Sequence, residues 1–362
     1  MNSNLKEQIL RFLIWIKIQV LFVLDVKKVR KQGIDNRLWK RKFLNLWKTR
    51  DVRCNKLLDE FLNCSLKKIS NHKVIKKRKY SPILFCVIKN DFSKIHQFME
   101  HYRKLGVEVF VFLDNDSDDG TKEFLCQQKD AVVYYSNQQY SSARRVAWLN
   151  RLLAIYGENK WCLIVDSDEL ITYMGAEEYQ LTDIVERAID KKCKRVEGFL
   201  LDMYSDNDIF QRKNDDSCLE KYKYFDINSY KLHTAENGLV VSRGPRKRIF
   251  HAEVCLSKYP MFFFGRDDFI ASSHYIIPFE PISKCPMWFA ICHYKFIDDK
   301  DLDKIKEAVR KENYACGSQD YKKYLLGIKR NPRINFYEEG NSCEMKNSYS
   351  LKNISFLKTP FK

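Results

Sequence analysis

The 362-residue chain reads as an α/β protein, a mostly parallel sheet flanked by helices, with a basic helical extension at its N-terminus. Three observations predict this. Short apolar runs alternate with helical segments, an order that requires crossover connections and therefore parallel strands. Several of those runs end in polar clusters, where such sheets bind ligands. One of them ends in paired carboxylates, Val165-Asp166-Ser167-Asp168-Glu169-Leu170.

The elements follow in order. ILFCVIKN (83–90) reads as a first strand running into Lys89-Asn90. FSKIHQFMEHYRKLG (92–106) places Ile95, Phe98, Met99, Tyr102 and Leu105 on one helical face and stops at Gly106. VEVFVFL (107–113) is a buried strand that opens into Asp114-Asn115-Asp116-Ser117-Asp118-Asp119-Gly120-Thr121. AVVYY (131–135) is a third strand. YSSARRVAWLNRLLAIYG (140–157) is a helix with Val146, Leu149, Leu153 and Tyr156 along one side. WCLIV (161–165) is the fourth strand, LTDIVERAIDKK (181–192) a helix and VEGFLLDMY (196–204) a strand.

Two carboxylates with one residue between them, at the end of a buried strand, suit a hard divalent cation such as Mg²⁺ or Mn²⁺. The bland reading is a strand-end cap. Asp114 and Asn115 read either as ligand contacts or as an Asx-rich turn. Arg246, Arg248, Lys258 and Lys295 are candidates to neutralise a phosphate, with Arg144, Arg145 and Lys89 behind them. The alternative for each is surface charge. Phe262, Phe263, Phe264 and Trp288 read as sugar-stacking rings or, more commonly, as core.

The ordered set resembles the family-two-type glycosyltransferases, and within them a bacterial branch. It comprises the strand ending in Lys89-Asn90, the loop 114–121, VDSDEL (165–170), GPRKRIF (244–250), SKYP (257–260) and CHYKF (292–296). The resemblance spans roughly residues 81–350. It implies the GT-A fold, a Rossmann-like sheet, and a nucleoside diphosphate sugar as donor. It also implies a glycan or glycolipid acceptor and a reaction that inverts the anomeric carbon. By the same resemblance Asp114 and Asn115 hold the donor's uridine or ribose, although the family has a second Asp where Asn115 stands. Asp166 and Asp168 contact metal and ribose, with Asp168 the direct ligand, and His293 adds a metal ligand. The general base is an Asp well after the metal motif. Asp267 and Asp268 lie where that spacing points, with Asp202 and Asp206 as alternatives. A sugar-binding protein without catalysis, or a nucleotidyltransferase-like enzyme, is the competing class. The latter usually has a Gly-rich phosphate loop after its first strand, and here that strand meets Lys89-Asn90-Asp91 without glycine.

The formal net charge of +17 is concentrated at one end. Residues 1–80 carry 22 Lys and Arg against 6 Asp and Glu, which leaves 42 against 41 for the rest. A basic segment 1–80, a catalytic domain 81–350 and a tail 351–362 are therefore expected. In the first, ILRFLIWIKIQVLFVL (9–24) is apolar but interrupted by Arg11, Lys17 and Gln19. A spanning helix needs about 20 apolar residues, and two interior charges cost several kcal/mol. We expect a helix lying in an anionic membrane interface, followed by Lys27, Lys28, Arg30, Lys31 and the Lys40-Arg41-Lys42 cluster. The alternative is an accessory helix packed on the catalytic core. No nucleic-acid-binding motif accompanies the charge. Twelve cysteines occur without a C-x-x-C pair, and no small-residue cleavage site follows the apolar run. Reduced thiols and a cytoplasmic location, peripheral on the inner face of the membrane, are the expectation.

Overall fold

The computed structural model describes residues 3–24, 34–51, 53–71, 78–209, 219–235, 238–272, 274, 276–278, 285, 287–297 and 299–357. Lys27, Lys28, Arg30 and Lys31 lie outside the described residues. The predicted strands form where the apolar runs stand. Four of them are β2 (Ile83–Ile88), β3 (Val109–Asp114), β4 (Ala131–Tyr135) and β5 (Lys160–Ile164). They pair in parallel in the order β4-β3-β2-β5. Nearly every residue in them is buried, because helices cover both faces. A short strand β1 (Lys67–Lys68) extends the sheet at the β4 edge.

The second half of the sheet is mixed. β6 (Glu169–Thr172), β7 (Arg195–Asp202), β11 (Ser257–Phe264) and β14 (Trp288–His293) complete a nine-stranded order, β1-β4-β3-β2-β5-β11-β7-β14-β6, while β8 (Tyr224–Asp226), β9 (Tyr230–Ala235), β10 (Gly238–Arg243), β12 (Phe269–Ile270) and β13 (Ile276–Ile277) belong to small two-stranded sheets beside it. Six of the nine strands run the same way, and β1, β11 and β6 oppose them. The architecture is α/β with a large mixed sheet between helices, compatible with a Rossmann-like arrangement. In the parallel block β3 and β4 lie on one side of β2, and β5 on the other. The chain therefore reverses its winding between β2 and β5, which leaves a crevice at their carboxyl ends. Lys89-Asn90 and Asp166-Ser167-Asp168 emerge there.

The N-terminal segment is not a separate module. Helices α1 (Ser3–Leu24), α2 (Asn36–Lys48) and α3 (Cys54–Asn63) cover one side of the molecule. Trp39, Phe43, Leu58 and Phe61 are fully buried and share a core with Phe85, Val111, Trp148 and Phe269. The helix between these layers, Ser142–Tyr156, is buried from Arg145 through Ala154 as a result. Lys42 shows how closely the parts fit. It has no exposed surface, and its Nζ donates to the carbonyls of Asp268 (2.7 Å) and Gly265 (2.9 Å). It also lies 3.4 Å from Glu158 and 4.0 Å from the Phe264 ring centroid. Burial pulls its pKa down, partly opposed by Glu158 and Asp268. Among the described residues, no helix is long and apolar enough to cross a membrane. Phe262, Phe264 and Trp288 are core residues, and Phe263 packs against the core half-buried.

Candidate functional site

A cleft of about 330 Å³ opens at the carboxyl edge of the parallel block. Ile88-Lys89-Asn90-Asp91 from the end of β2, Asn115-Asp116 after β3, Gln138-Gln139-Tyr140 after β4 and Asp166-Ser167-Asp168 after β5 line it. Helix Asp299–Lys311 and the start of helix Ala315–Arg330 form the facing wall.

Register brings the key groups together. On β14, His293 stands opposite Glu169 of β6 and opposite Asp202 of β7. Asp202, ionised and therefore only an acceptor, accepts a hydrogen bond from His293 Nδ1 at 2.7 Å. With a single proton on the ring, that bond places it on Nδ1 and turns the Nε2 lone pair toward Asp168. Nε2 lies 3.6 Å from Asp168 Oδ2. Asp168, Glu169 and His293 each offer a ligand atom within 4.8 Å of the others. Burial raises the Asp168 pKa, but His293, Lys295 and Lys94 outweigh it, and the net shift is downward. An ionised carboxylate beside an imidazole that a second carboxylate braces is a donor set suited to a divalent cation. The residues present fit such an ion.

Asp166 is held differently. Its burial also raises the pKa, and Arg145 and Lys258 reverse this and hold it well below the carboxylate range. Arg145 bonds Oδ1, and Lys258 lies 3.4 Å from Oδ2. Lys258 also bonds Glu169, whose other oxygen accepts from the Asp166 amide at 3.1 Å. Asp166 and Glu169 are thus already neutralised by protein cations, and Asp168 is the carboxylate left to a ligand. Ser167 between them donates to Asp91, which also receives Lys304 from the facing helix. A buried pair, Lys94 with Asp301 at 2.6 Å, fastens the same helix.

The other sequence candidates divide. Lys89 and Lys295 line the cleft, and neither forms an ion pair among the described residues. Lys295 Nζ donates to Tyr321 at 3.1 Å and lies 4.7 Å from its ring centroid. Asn115 lines the cleft, but its amide is spent on the carbonyls of Ser136 and Gln138, both at 2.9 Å. Asp114 is fully buried and does not line the cleft. Its Oδ1 accepts from the Ser117 amide, and burial raises its pKa. Asp116 takes the exposed place beside it, at φ 62°.

Five assignments need correction. Arg246 is buried against Asp202 at 2.8 Å. Arg248 is committed to Asp226 and to the Phe336 carbonyl. Arg144 joins Glu60 of α3 to the Gln139 carbonyl, so it braces the cleft wall from behind, while its neighbour Arg145 faces in. Asp267 pairs with Arg41 on α2 at 2.7 Å, and Asp268 with Arg195 at 2.8 Å. Both lie outside the cleft and hold the N-terminal helices and the β11 turn. Of the alternative bases, Asp202 is occupied by His293 and Arg246, and Asp206 does not line the cleft.

Sequence reasoning missed the facing wall. Lys304, Glu307 and Lys311 share one helical face toward the cleft, and Tyr140, Tyr314 and Tyr321 form an aromatic rim with centroids 4.6 and 5.2 Å apart. The signal was present in DKDLDKIKEAVRK, where the cleft-facing positions recur at i, i+3 and i+7. No protein-family model matches the chain, and no curated protein is significantly similar to it.

Proposed function

We propose that this chain is a metal-dependent glycosyltransferase of the GT-A type, taking a sugar from a nucleoside diphosphate donor with inversion. The observation that carries the reading is the line Asp168–His293–Asp202 at the mouth of a cleft lined by Lys89 and Lys295, which form no ion pair among the described residues. Asp168 and His293 would hold Mn²⁺ or Mg²⁺, and the imidazole favours Mn²⁺. Such an ion, when bound, supplies electrostatic stabilisation to the departing diphosphate. Lys295 and Lys89 neutralise the remaining phosphate charge as it develops. Arg145 keeps Asp166 ionised and fixed, so that the strand-end loop does not move as the donor enters. The tyrosine rim excludes water from the reacting bond. Inversion needs one proton acceptor for the incoming hydroxyl. It is drawn from the carboxylates of the cleft, not from Asp267 or Asp268.

The acceptor in this reading is a bacterial surface glycan or glycolipid, a lipopolysaccharide or capsule precursor at the cytoplasmic face of the membrane. The support is the resemblance described above together with the basic N-terminal segment. Full-length protein incubated with Mn²⁺ and a panel of nucleotide sugars should release nucleoside diphosphate from one of them. EDTA should abolish the release. No release from any donor, or release unaffected by EDTA, rejects the proposal.

A further inference from the structure

Helix α1 is apolar on two sides. Its inner side is docked, with Ile14 and Ile18 buried in the core shared with α2 and α3. Its two interior cations also face the protein. Arg11 lies 4.9 Å from the Trp47 ring centroid, and Trp47 Nε1 donates to the Arg11 carbonyl at 3.0 Å. Lys17 pairs with Asp59 at 2.5 Å and donates to Asn55 at 2.8 Å. The charges that argue against membrane contact in the linear sequence are therefore turned away from solvent on this face.

What remains outside is a stripe at i, i+4, i+7, i+8, i+11 and i+15, namely Leu5, Ile9, Phe12, Leu13, Ile16 and Val20. All are exposed, Phe12 by 59 % and Leu13 by 55 %. From Leu5 to Val20, sixteen residues of helix, it runs about 22 Å. Soluble monomers rarely leave a contiguous apolar strip of this size facing water. The surrounding charge selects among occupants. Arg37, Lys48 and Arg50 are exposed on and just beyond α2, and residues 1–80 carry 22 basic against 6 acidic side chains. Two copies meeting through this face would bring like charge onto like charge. An anionic surface with an apolar interior satisfies both features.

We infer that the outer stripe of α1 lies in the plane of an anionic phospholipid bilayer while its inner side stays docked on the catalytic core. This rests on the membrane-side acceptor of the proposed function for its purpose, not for its geometry. Full-length protein should sediment at low salt with vesicles of phosphatidylcholine and phosphatidylglycerol, and far less with phosphatidylcholine alone. The triple variant Phe12→Glu, Leu13→Glu, Ile16→Glu should lose binding by a factor on the order of a hundred, with an unchanged melting temperature because the three side chains are exposed. Absence of binding to the anionic vesicles, equal binding by the triple variant, or self-association that the variant abolishes would each overturn the inference. Nucleotide-sugar hydrolysis without vesicles reads the transferase proposal separately, so either can fail alone.

Discussion

His293 presents its two ring nitrogens to two different carboxylates, Nδ1 to Asp202 at 2.7 Å and Nε2 toward Asp168 at 3.6 Å. Arg246 Nε donates to the other oxygen of Asp202 at 2.8 Å. These three contacts make a sharp prediction for Asp202→Asn. Arginine can only donate, so the single amide oxygen must serve Arg246, which leaves NH₂ facing Nδ1. The imidazole then shifts its proton to Nε2 and loses the lone pair directed at Asp168. Mn²⁺ affinity should fall about 10- to 100-fold, read by calorimetric titration of metal alone, with the fold intact by circular dichroism. Unchanged affinity would mean that His293 does not bind the ion.

Asp168→Ala tests the cleft itself. Unlike Asp166 and Glu169, Asp168 makes no direct bond to a lysine or arginine among the described residues, so its loss should leave folding unaffected. Turnover should fall about a hundredfold or more. Full turnover in the folded variant, or in EDTA, would remove the metal from the reaction.

Arg144 separates support from contact. Its guanidinium joins Glu60 to the Gln139 carbonyl and does not face the cleft. Arg144→Ala should raise donor KM by on the order of tenfold at most, with kcat nearly unchanged. Lys295→Ala, removing a cation that faces the departing phosphates, should instead lower kcat. A kcat loss in Arg144→Ala comparable to that in Lys295→Ala would restore Arg144 to the donor site.

These cases show what the sequence carried and what it did not. Strands β2 to β5 were legible to within about two residues because uniformly apolar runs in an alternating order have few other folds. Asp168 and His293 were legible as motif members. Asp202 reads from sequence only as an alternative base, because its role depends on a cross-strand register with a residue 91 positions away. Arg144, Arg246 and Arg248 were misplaced for the same reason, since a charge in sequence does not name its partner. Asp267 and Asp268 stand at the expected distance from the metal motif, but their partners, Arg41 on α2 and Arg195 on β7, hold them outside the cleft. For α1 both readings held a part, because the helix is apolar on two sides and a linear pattern does not say which side the core takes.

Lys42 bears on the N-terminal segment. The sequence put it in a basic cluster facing a membrane, and the structure buries it under the β11 turn. Lys42→Ala leaves two carbonyls without their donor and Glu158 without its cation in a closed site. Breaking a buried charge pair costs about 3 to 5 kcal/mol, so the urea midpoint should drop markedly. Deleting residues 1–64 should yield insoluble protein, not a free catalytic domain, since Trp39, Phe43 and Phe61 leave the shared core with it. A soluble, active truncation would show that the sheet closes without these helices.

Two histidines outside the cleft set an acid limit on stability. His101 Nε2 donates to the Ile171 carbonyl and His274 Nδ1 to the Ser257 carbonyl, both at 2.8 Å. Burial pushes each pKa down to about 4, partly offset by those bonds. The folded chain therefore prefers the neutral rings, and the unfolded chain takes up protons first, near the ordinary value of about 6.5. Stability from each is fully present above pH 7 and is lost as pH falls from about 6.5 toward 4. At pH 5 the loss is about 2 kcal/mol per histidine. Urea unfolding in EDTA, which removes any metal contribution, should show this decline between pH 7 and 5. His101→Gln keeps a donor for Ile171 and cannot titrate, so its decline should be smaller by about 2 kcal/mol. An identical pH dependence in the variant would mean that His101 is already accessible to protons in the folded protein.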